Sequence, residues 1–139
     1  MDDKHDLQRF VDAQEPIYDR VLSELRLGRK ASHWMWFVFP QIAGLGYSPM
    51  SQRYAIHDRA EAAAYADHPV LGARLLECTT LVNNVEGRTA HQIFGSPDDV
   101  KFRSSMTLFS SCARNPEAFN NALGKYFDGE GDPLTKARL

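Results

Sequence analysis

Apolar residues recur at helical spacing through much of this sequence. In the longest such run, Leu71, Leu75, Cys78 and Val82 lie three or four positions apart, and Gly87 follows them. This spacing puts apolar side chains on one face of a helix of about four turns. Such a helix must bury that face against other elements. The pattern therefore predicts a mainly α fold in which several helices share one core.

Start and stop signals divide the N-terminal half into further helices. Glu15-Pro16 separates two apolar runs, which predict two helices or one kinked helix ending at Gly28. Residues 51–58 and 61–66 are each predicted to form a short helix, the second of which stops at the sequence Asp-His-Pro.

The C-terminal half carries three capping patterns. Thr89-Ala-His-Gln92 matches a capping box and predicts a short helix. Ser96-Pro97 and Asn115-Pro116 each predict an N-cap followed by proline at the first helical position, with carboxylates in the first turn. We expect these helices to run to about residues 114 and 127. The polar, glycine-rich sequence that follows is predicted to be a tail.

Length and composition favour one domain over residues 1–139, with an ordered core of about residues 6–127 and a polar tail over 128–139. The formal net charge of -2, with 16 basic and 18 acidic residues interspersed, argues against long nucleic acids as partners. No apolar run approaches the roughly 18 residues of a membrane span. We expect a soluble, cytoplasmic protein of unknown oligomeric state, with its two cysteines reduced.

The segment "HWMWFVFPQ", residues 33–41, is the strongest candidate wall of a binding site. Its consecutive apolar residues fit a buried strand or a buried helix equally well. In an extended chain Trp34 and Trp36 share a face suited to stacking on a flat ring, whereas in a helix they diverge by about 200°. Gln41 can present donors and an acceptor to an amide or a base edge. Core burial is the competing interpretation, and it is favoured for residues 35 and 37–39.

The loop that follows, "GLGYSPMS", adds further candidate ligand contacts. Gly44 and Gly46 permit positive backbone φ angles, and Ser48 and Ser51 supply hydroxyls. Loops beside rigid aromatic residues are common binding elements.

A hydroxyl-rich face on the helix after Ser96 completes the candidate site. Lys101, Ser104 and Ser105 share one side of this helix and could hold an anion or a carbonyl oxygen. The competing interpretation is close packing of small residues beside an exposed lysine. Histidines and cysteines lack the spacing of metal ligands, so no metal and no cofactor are predicted.

Three blocks, "SHWMWFVFPQIAGLGYSPMSQRYAI", "EAAAYADHPVLGARL" and "IFGSPDDVKFRSSMTLF", resemble the bacterial domain-of-unknown-function family 1810 over residues 7–127. Some of its members are labelled calpastatin, but calpastatin inhibitory segments are disordered, whereas this composition is that of a packed globule. More distantly, the chain is similar in architecture to the YbiA (NADAR) group, which cleaves N-glycosidic bonds of nucleotide-like substrates. No catalytic residue is carried over from that group.

Together these features predict a small pocket for a nucleotide-like or ADP-ribose-like ligand, with hydrolysis of an N-glycosidic bond as a further possibility. Hydrolysis requires a carboxylate near the developing positive charge. The sequence singles none out, because Asp98 and Asp99 are predicted to be capping charges, and Glu61 and Glu77 to lie on helix surfaces. The alternative is a non-catalytic module that binds a ligand or a protein, with the aromatic segment as core.

Overall fold

Ten helices follow one another along residues 3–139, the part of the chain that this computed structural model describes. They are α1 (Gln8–Gln14), α2 (Tyr18–Arg26), α3 (Met35–Val38), α4 (Pro49–Arg53), α5 (Arg59–Asp67), α6 (Leu71–Asn83), α7 (Ala90–Phe94), α8 (Asp98–Cys112), α9 (Glu117–Phe127) and α10 (Pro133–Lys136). Within these residues, β-structure is limited to one parallel bridge between Ile42 and Ile56. The predicted mainly α single domain is confirmed.

Helix α8 occupies the centre of the domain. It contacts α9, α5, α10, α7 and α3, and its middle is buried on every side. Within the core, Phe102 packs against Phe39 and Phe94, and Phe109 packs against Tyr65. A helix surrounded by neighbours requires small side chains where they approach closely, which explains the hydroxyl-rich sequence of α8.

Several helix ends agree with the sequence signals. The Thr89 hydroxyl accepts a hydrogen bond from the Gln92 backbone N–H, and the Gln92 side chain accepts one from the Thr89 N–H, which confirms the capping box. Gly28 follows α2 with a φ of +72°, a left-handed conformation that favours glycine. Proline 16 precedes the start of α2 by two residues, so the N-terminal runs form two helices.

The predicted N-caps of α8 and α9 were wrong by one residue. The Pro97 carbonyl accepts from the Lys101 N–H, and the Pro116 carbonyl accepts from the Asn120 N–H, so each proline is itself the N-cap residue. Ser96 therefore lies outside α8, and neither helix has a side-chain cap. The two carboxylates still occupy the first turn of α8, where the helix dipole stabilises them.

The predicted polar tail is instead part of the packed domain. Asp132 is 8% exposed and caps α10, with its side chain accepting from the Thr135 backbone N–H. The Asp132 N–H donates to the Thr107 hydroxyl of α8 at 2.8 Å. The Arg103 side chain also donates to the backbone carbonyls of Glu130 and Gly131. These bonds fasten residues 130–136 to the central helix.

The segment at residues 33–41 forms the short helix α3 between α1 and α8. Trp34 precedes it with non-helical backbone angles, φ -139° and ψ 6°. The Gln14 side chain donates to the Phe37 carbonyl at 2.7 Å and fixes α3 against α1. None of the helices within residues 3–139 is long and apolar enough to cross a membrane.

Candidate functional site

Two adjoining cavities lie between α3, the loop after it, and α8. The first has a volume of about 20 Å³, and the second, of about 190 Å³, shares four of its lining residues. We call the pair the Trp36 groove. Six of the ten predicted site residues border the first cavity: Trp36, Gln41, Gly44, Gly46, Ser51 and Lys101. The fold therefore brings these six together, although they are separated by up to 65 positions in the sequence (101 minus 36).

Trp36 forms one wall of the groove and lies beside a cation. Its side chain is half-buried, and the Lys101 Nζ atom lies 5.2 Å from the centroid of its ring. An ammonium over an indole face is attracted by the ring quadrupole, so the two groups hold each other in place. The groove thus presents an aromatic surface and a positive charge at one point.

Gln41 is held at the groove by its backbone. The Ile56 N–H donates to the Gln41 carbonyl at 2.9 Å, and the Ala43 N–H donates to the Ile56 carbonyl at 2.7 Å. Between residues 3 and 139, no protein group hydrogen-bonds to the Gln41 side-chain amide. Its two donors and its acceptor are therefore available to a ligand.

Trp34, in contrast, lies in the core and does not border the groove. It is 1% exposed, and its indole N–H donates to Glu24 at 3.0 Å. Glu24 also accepts from the backbone N–H groups of Ala31 and Ser32 and from the Ser32 hydroxyl. Burial raises the pKa of Glu24, but these hydrogen bonds outweigh burial and lower the pKa below its ordinary value.

One carboxylate connects the surroundings of the two tryptophans. Asp98 contacts Lys30 Nζ at 2.8 Å and Lys101 Nζ at 3.8 Å, and Lys30 lies 5.1 Å from the centroid of the Trp34 ring. Asp98 thus pairs with both lysines in addition to its favourable place in the first turn of α8.

The glycine loop borders the groove, but its first serine does not. Ser48 caps α4 by accepting from the Ser51 N–H, and the two hydroxyls lie 2.9 Å apart. A Cβ atom added to Gly46 would lie 2.7 Å from the Ser51 hydroxyl oxygen, so only glycine fits beside it. Gly44 has a φ of +97°, and the guanidinium of Arg138 lies directly against it.

The two predicted serines of α8 do not present hydroxyls to a ligand. Ser105 is fully buried in the core, away from both cavities, and its hydroxyl has no partner within residues 3–139. Ser104 borders the second cavity, but its hydroxyl lies within hydrogen-bond distance of Asp132 and of the Val100 carbonyl. The packing interpretation of this hydroxyl-rich face is therefore the one that its contacts support.

Sequence analysis missed Asp132, the buried carboxylate that borders the second cavity. Its Oδ2 atom accepts from the Ser104 hydroxyl and from both the hydroxyl and the backbone N–H of Thr135. The signal was present in the sequence Asp132-Pro133-Leu-Thr135, which repeats the pattern of an N-cap followed by proline.

Glu61 was predicted to lie on a helix surface, and this was wrong. It is 2% exposed and accepts from Arg9 at 2.9 Å, while its other oxygen contacts His57 at 2.7 Å. This cluster lies outside the Trp36 groove. No group of three or more potential metal ligands occurs among the residues described. Burial raises the pKa of the Cys78 thiol to about 12, so that thiol is a weak nucleophile.

Comparisons with known proteins agree with this fold. A family model described as "Protein of unknown function (DUF1810)" matches residues 4–139. The crystal structure of the conserved hypothetical protein Rv1873 from Mycobacterium tuberculosis is 54% identical and superposes with a TM-score of 0.97, over 99% of this chain and 98% of that one. No curated protein matches the chain significantly.

Proposed function

We propose a function for this chain, which belongs to the DUF1810 family, from the chemistry of the Trp36 groove: it binds a small nucleotide-like ligand. The observation that carries the proposal is the partly exposed Trp36 ring with the Lys101 ammonium 5.2 Å from its centroid. A flat, electron-poor or anionic molecule can stack on the ring and contact the cation at once.

The polar groups around this ring suit a base or a nicotinamide. Gln41 has one acceptor and two donors, the combination that reads an amide or a nucleobase edge. Stacking on an exposed aromatic side chain contributes about 1–3 kcal/mol per base.

Hydrolysis of an N-glycosidic bond is the second candidate function, and Asp132 is the observation that favours it. Three donors fix the Oδ2 atom of Asp132 at the edge of the second cavity, and a rigid carboxylate there is suited to stabilise an oxocarbenium-like state. The similarity to the YbiA group and the cytoplasmic location stay predictions, and neither supports the binding proposal.

Ligand titration followed by amide chemical shifts tests the binding proposal. We expect ADP-ribose, NAD or one of their fragments to shift resonances of residues 35–46 and 101. Gln41→Ala and Lys101→Ala should abolish these shifts without changing the melting temperature, since both side chains are partly exposed. Arg26→Ala on α2, an exposed position away from the groove, is the control and should leave the shifts intact.

The outcomes separate binding from turnover and from a purely structural role. Release of a free base from an ADP-ribosyl compound, lost in Asp132→Asn, would establish the hydrolase. Saturable shifts without product would establish a binding module. If no probe shifts the amide resonances of groove residues, the groove is not a ligand site and the proposal fails. The proposal also fails if Gln41→Ala and Lys101→Ala leave the ligand-induced shifts unchanged.

A further inference from the structure

Arg138 places a second positive charge beside Gly44, a residue that lines the Trp36 groove. A Cβ atom added to Gly44 would lie 2.2 Å from Arg138 Nη1 and 2.4 Å from Cζ, so the guanidinium packs directly on the glycine backbone. Gly44 and Lys101 both line the first cavity. Because residue 44 has no side chain, the guanidinium can lie directly against a residue of the groove lining.

The Arg138 side chain is exposed, and no residue between 3 and 139 uses its donors. In the part of the chain from residue 3 onward, the guanidinium forms neither an ion pair nor a hydrogen bond. Arg9, in contrast, donates to four backbone carbonyls and to Glu61. The five N–H donors of Arg138 are available to a planar or tetrahedral anion.

The backbone beneath Arg138 is anchored, which distinguishes it from an arginine on a loose tail. The Arg138 N–H donates to the Thr135 carbonyl at 3.0 Å, and Thr135 is itself bonded to the buried Asp132. Asp132 is fixed to Ser104 and Thr107 of α8. The helix that carries Lys101 thus also sets the position of the segment that carries Arg138.

We propose that Arg138 and Lys101 together bind the phosphate of the ligand whose ring stacks on Trp36. This inference rests on the proposed function and adds the phosphate to the ligand. A guanidinium fork supplies paired donors to phosphate oxygens, and the lysine supplies a point charge. The sequence suggested that Ser104 and Ser105 help Lys101 to hold an anion, but their hydroxyls are buried. In this proposal Arg138 has that role instead.

Two matched ligand pairs test the inference in the full chain: AMP against adenosine, and nicotinamide mononucleotide against nicotinamide riboside. Calorimetry on the wild type should show at least one phosphorylated ligand binding about tenfold more tightly than its nucleoside. Arg138→Ala should remove most of that difference while leaving nucleoside affinity within about twofold. Arg26→Ala removes the same charge from an exposed site on α2 and should preserve the difference.

Further measurements exclude a merely structural effect. Arg138→Lys keeps the charge without the fork and should retain part of the phosphate preference, and the melting temperature of each variant should match the wild type. If nucleosides bind the groove but Arg138→Ala changes neither ligand's affinity, or lowers both equally, the phosphate role is wrong and the binding proposal survives. If no member of either pair binds the wild type, both proposals fail.

Discussion

Trp34, the residue before α3, and Trp36, in its first turn, are two positions apart, but they differ in burial and in hydrogen bonding. They share one feature. Each has a lysine over its ring, at 5.1 Å for Trp34 and 5.2 Å for Trp36, and both lysines pair with Asp98. Trp34 is fully buried and its indole N–H is bonded to Glu24, whereas Trp36 is partly exposed at the groove. A cation over an aromatic ring therefore does not by itself identify a site; available ring surface does.

Truncation of the two tryptophans should give the largest difference between them. Trp34→Ala should lower the free energy of unfolding by about 3–5 kcal/mol, because it leaves a core cavity and removes a donor from Glu24. Trp36→Ala should cost less, about 1–2 kcal/mol, because its ring is partly exposed. Urea denaturation measures both. Equal losses of stability in the two variants would contradict the assignment of Trp34 to the core and of Trp36 to the groove.

Trp36→Phe provides the matched control for the exposed ring. It keeps an aromatic face of smaller area, so it should retain measurable ligand binding, whereas Trp36→Ala should weaken binding about tenfold or more. If Trp36→Ala binds as tightly as the wild type, stacking on this ring is not part of recognition.

The contribution of Glu24, the partner of the buried Trp34, to the free energy of unfolding should depend on pH. Its pKa is lowered in the folded protein, so its stabilising effect is complete above the ordinary pKa of 4.5 and is lost as the pH falls through the lowered pKa. Glu24→Gln should cost about 1–3 kcal/mol at neutral pH, since a neutral amide cannot accept all four of the present donors. Denaturation curves between about pH 3 and 7 measure this.

The difference between wild type and Glu24→Gln should shrink as the pH falls below 4.5. A control variant, Glu86→Gln, removes an exposed carboxylate that follows α6 and should leave the stability of the protein at acid pH close to that of the wild type. A difference between wild type and Glu24→Gln that stays constant over the whole range would rule out the ionised carboxylate as the source of the stability.

The two lysines should show the smallest effects. Lys30 contacts Asp98 at 2.8 Å with 7% of its side chain exposed, so Lys30→Met should cost about 1 kcal/mol. Lys101 lies 3.8 Å from the same carboxylate with 23% exposed, and Lys101→Met should change stability by less than about 0.5 kcal/mol. Thermal melts at low and high salt measure both. A larger loss of stability for Lys101→Met than for Lys30→Met would show that Lys101, and not Lys30, stabilises the fold through Asp98.

The helix signals that could be read from the sequence are those that depend on neighbours in the chain. The Thr89–Gln92 capping box and the glycine after α2 are local hydrogen-bond and backbone requirements, so they hold in any fold. Trp36, Gln41 and Lys101 border one cavity, but their role as ligand contacts stays a prediction.

The parts that could not be predicted depend on contacts across the fold. Consecutive apolar residues in α3 have no period, so nothing local states which tryptophan faces the core. In the sequence, Glu24 and Glu61 resemble surface residues of their helices. They are buried because Trp34 donates to Glu24 and Arg9 donates to Glu61, and neither contact can be read from the neighbouring residues. The buried Asp132 likewise requires α8 as its partner.

The shared carboxylate of Asp98 has a consequence for how the groove would respond to an anion. If Lys101 turned from Asp98 toward a phosphate, Asp98 would still have Lys30 at 2.8 Å. No partly buried negative charge would be left without a counterion, so the electrostatic cost of rearrangement would be small. Lys30, which lies over the ring of the buried Trp34, would thus remain as the counterion of Asp98 and leave Lys101 able to move.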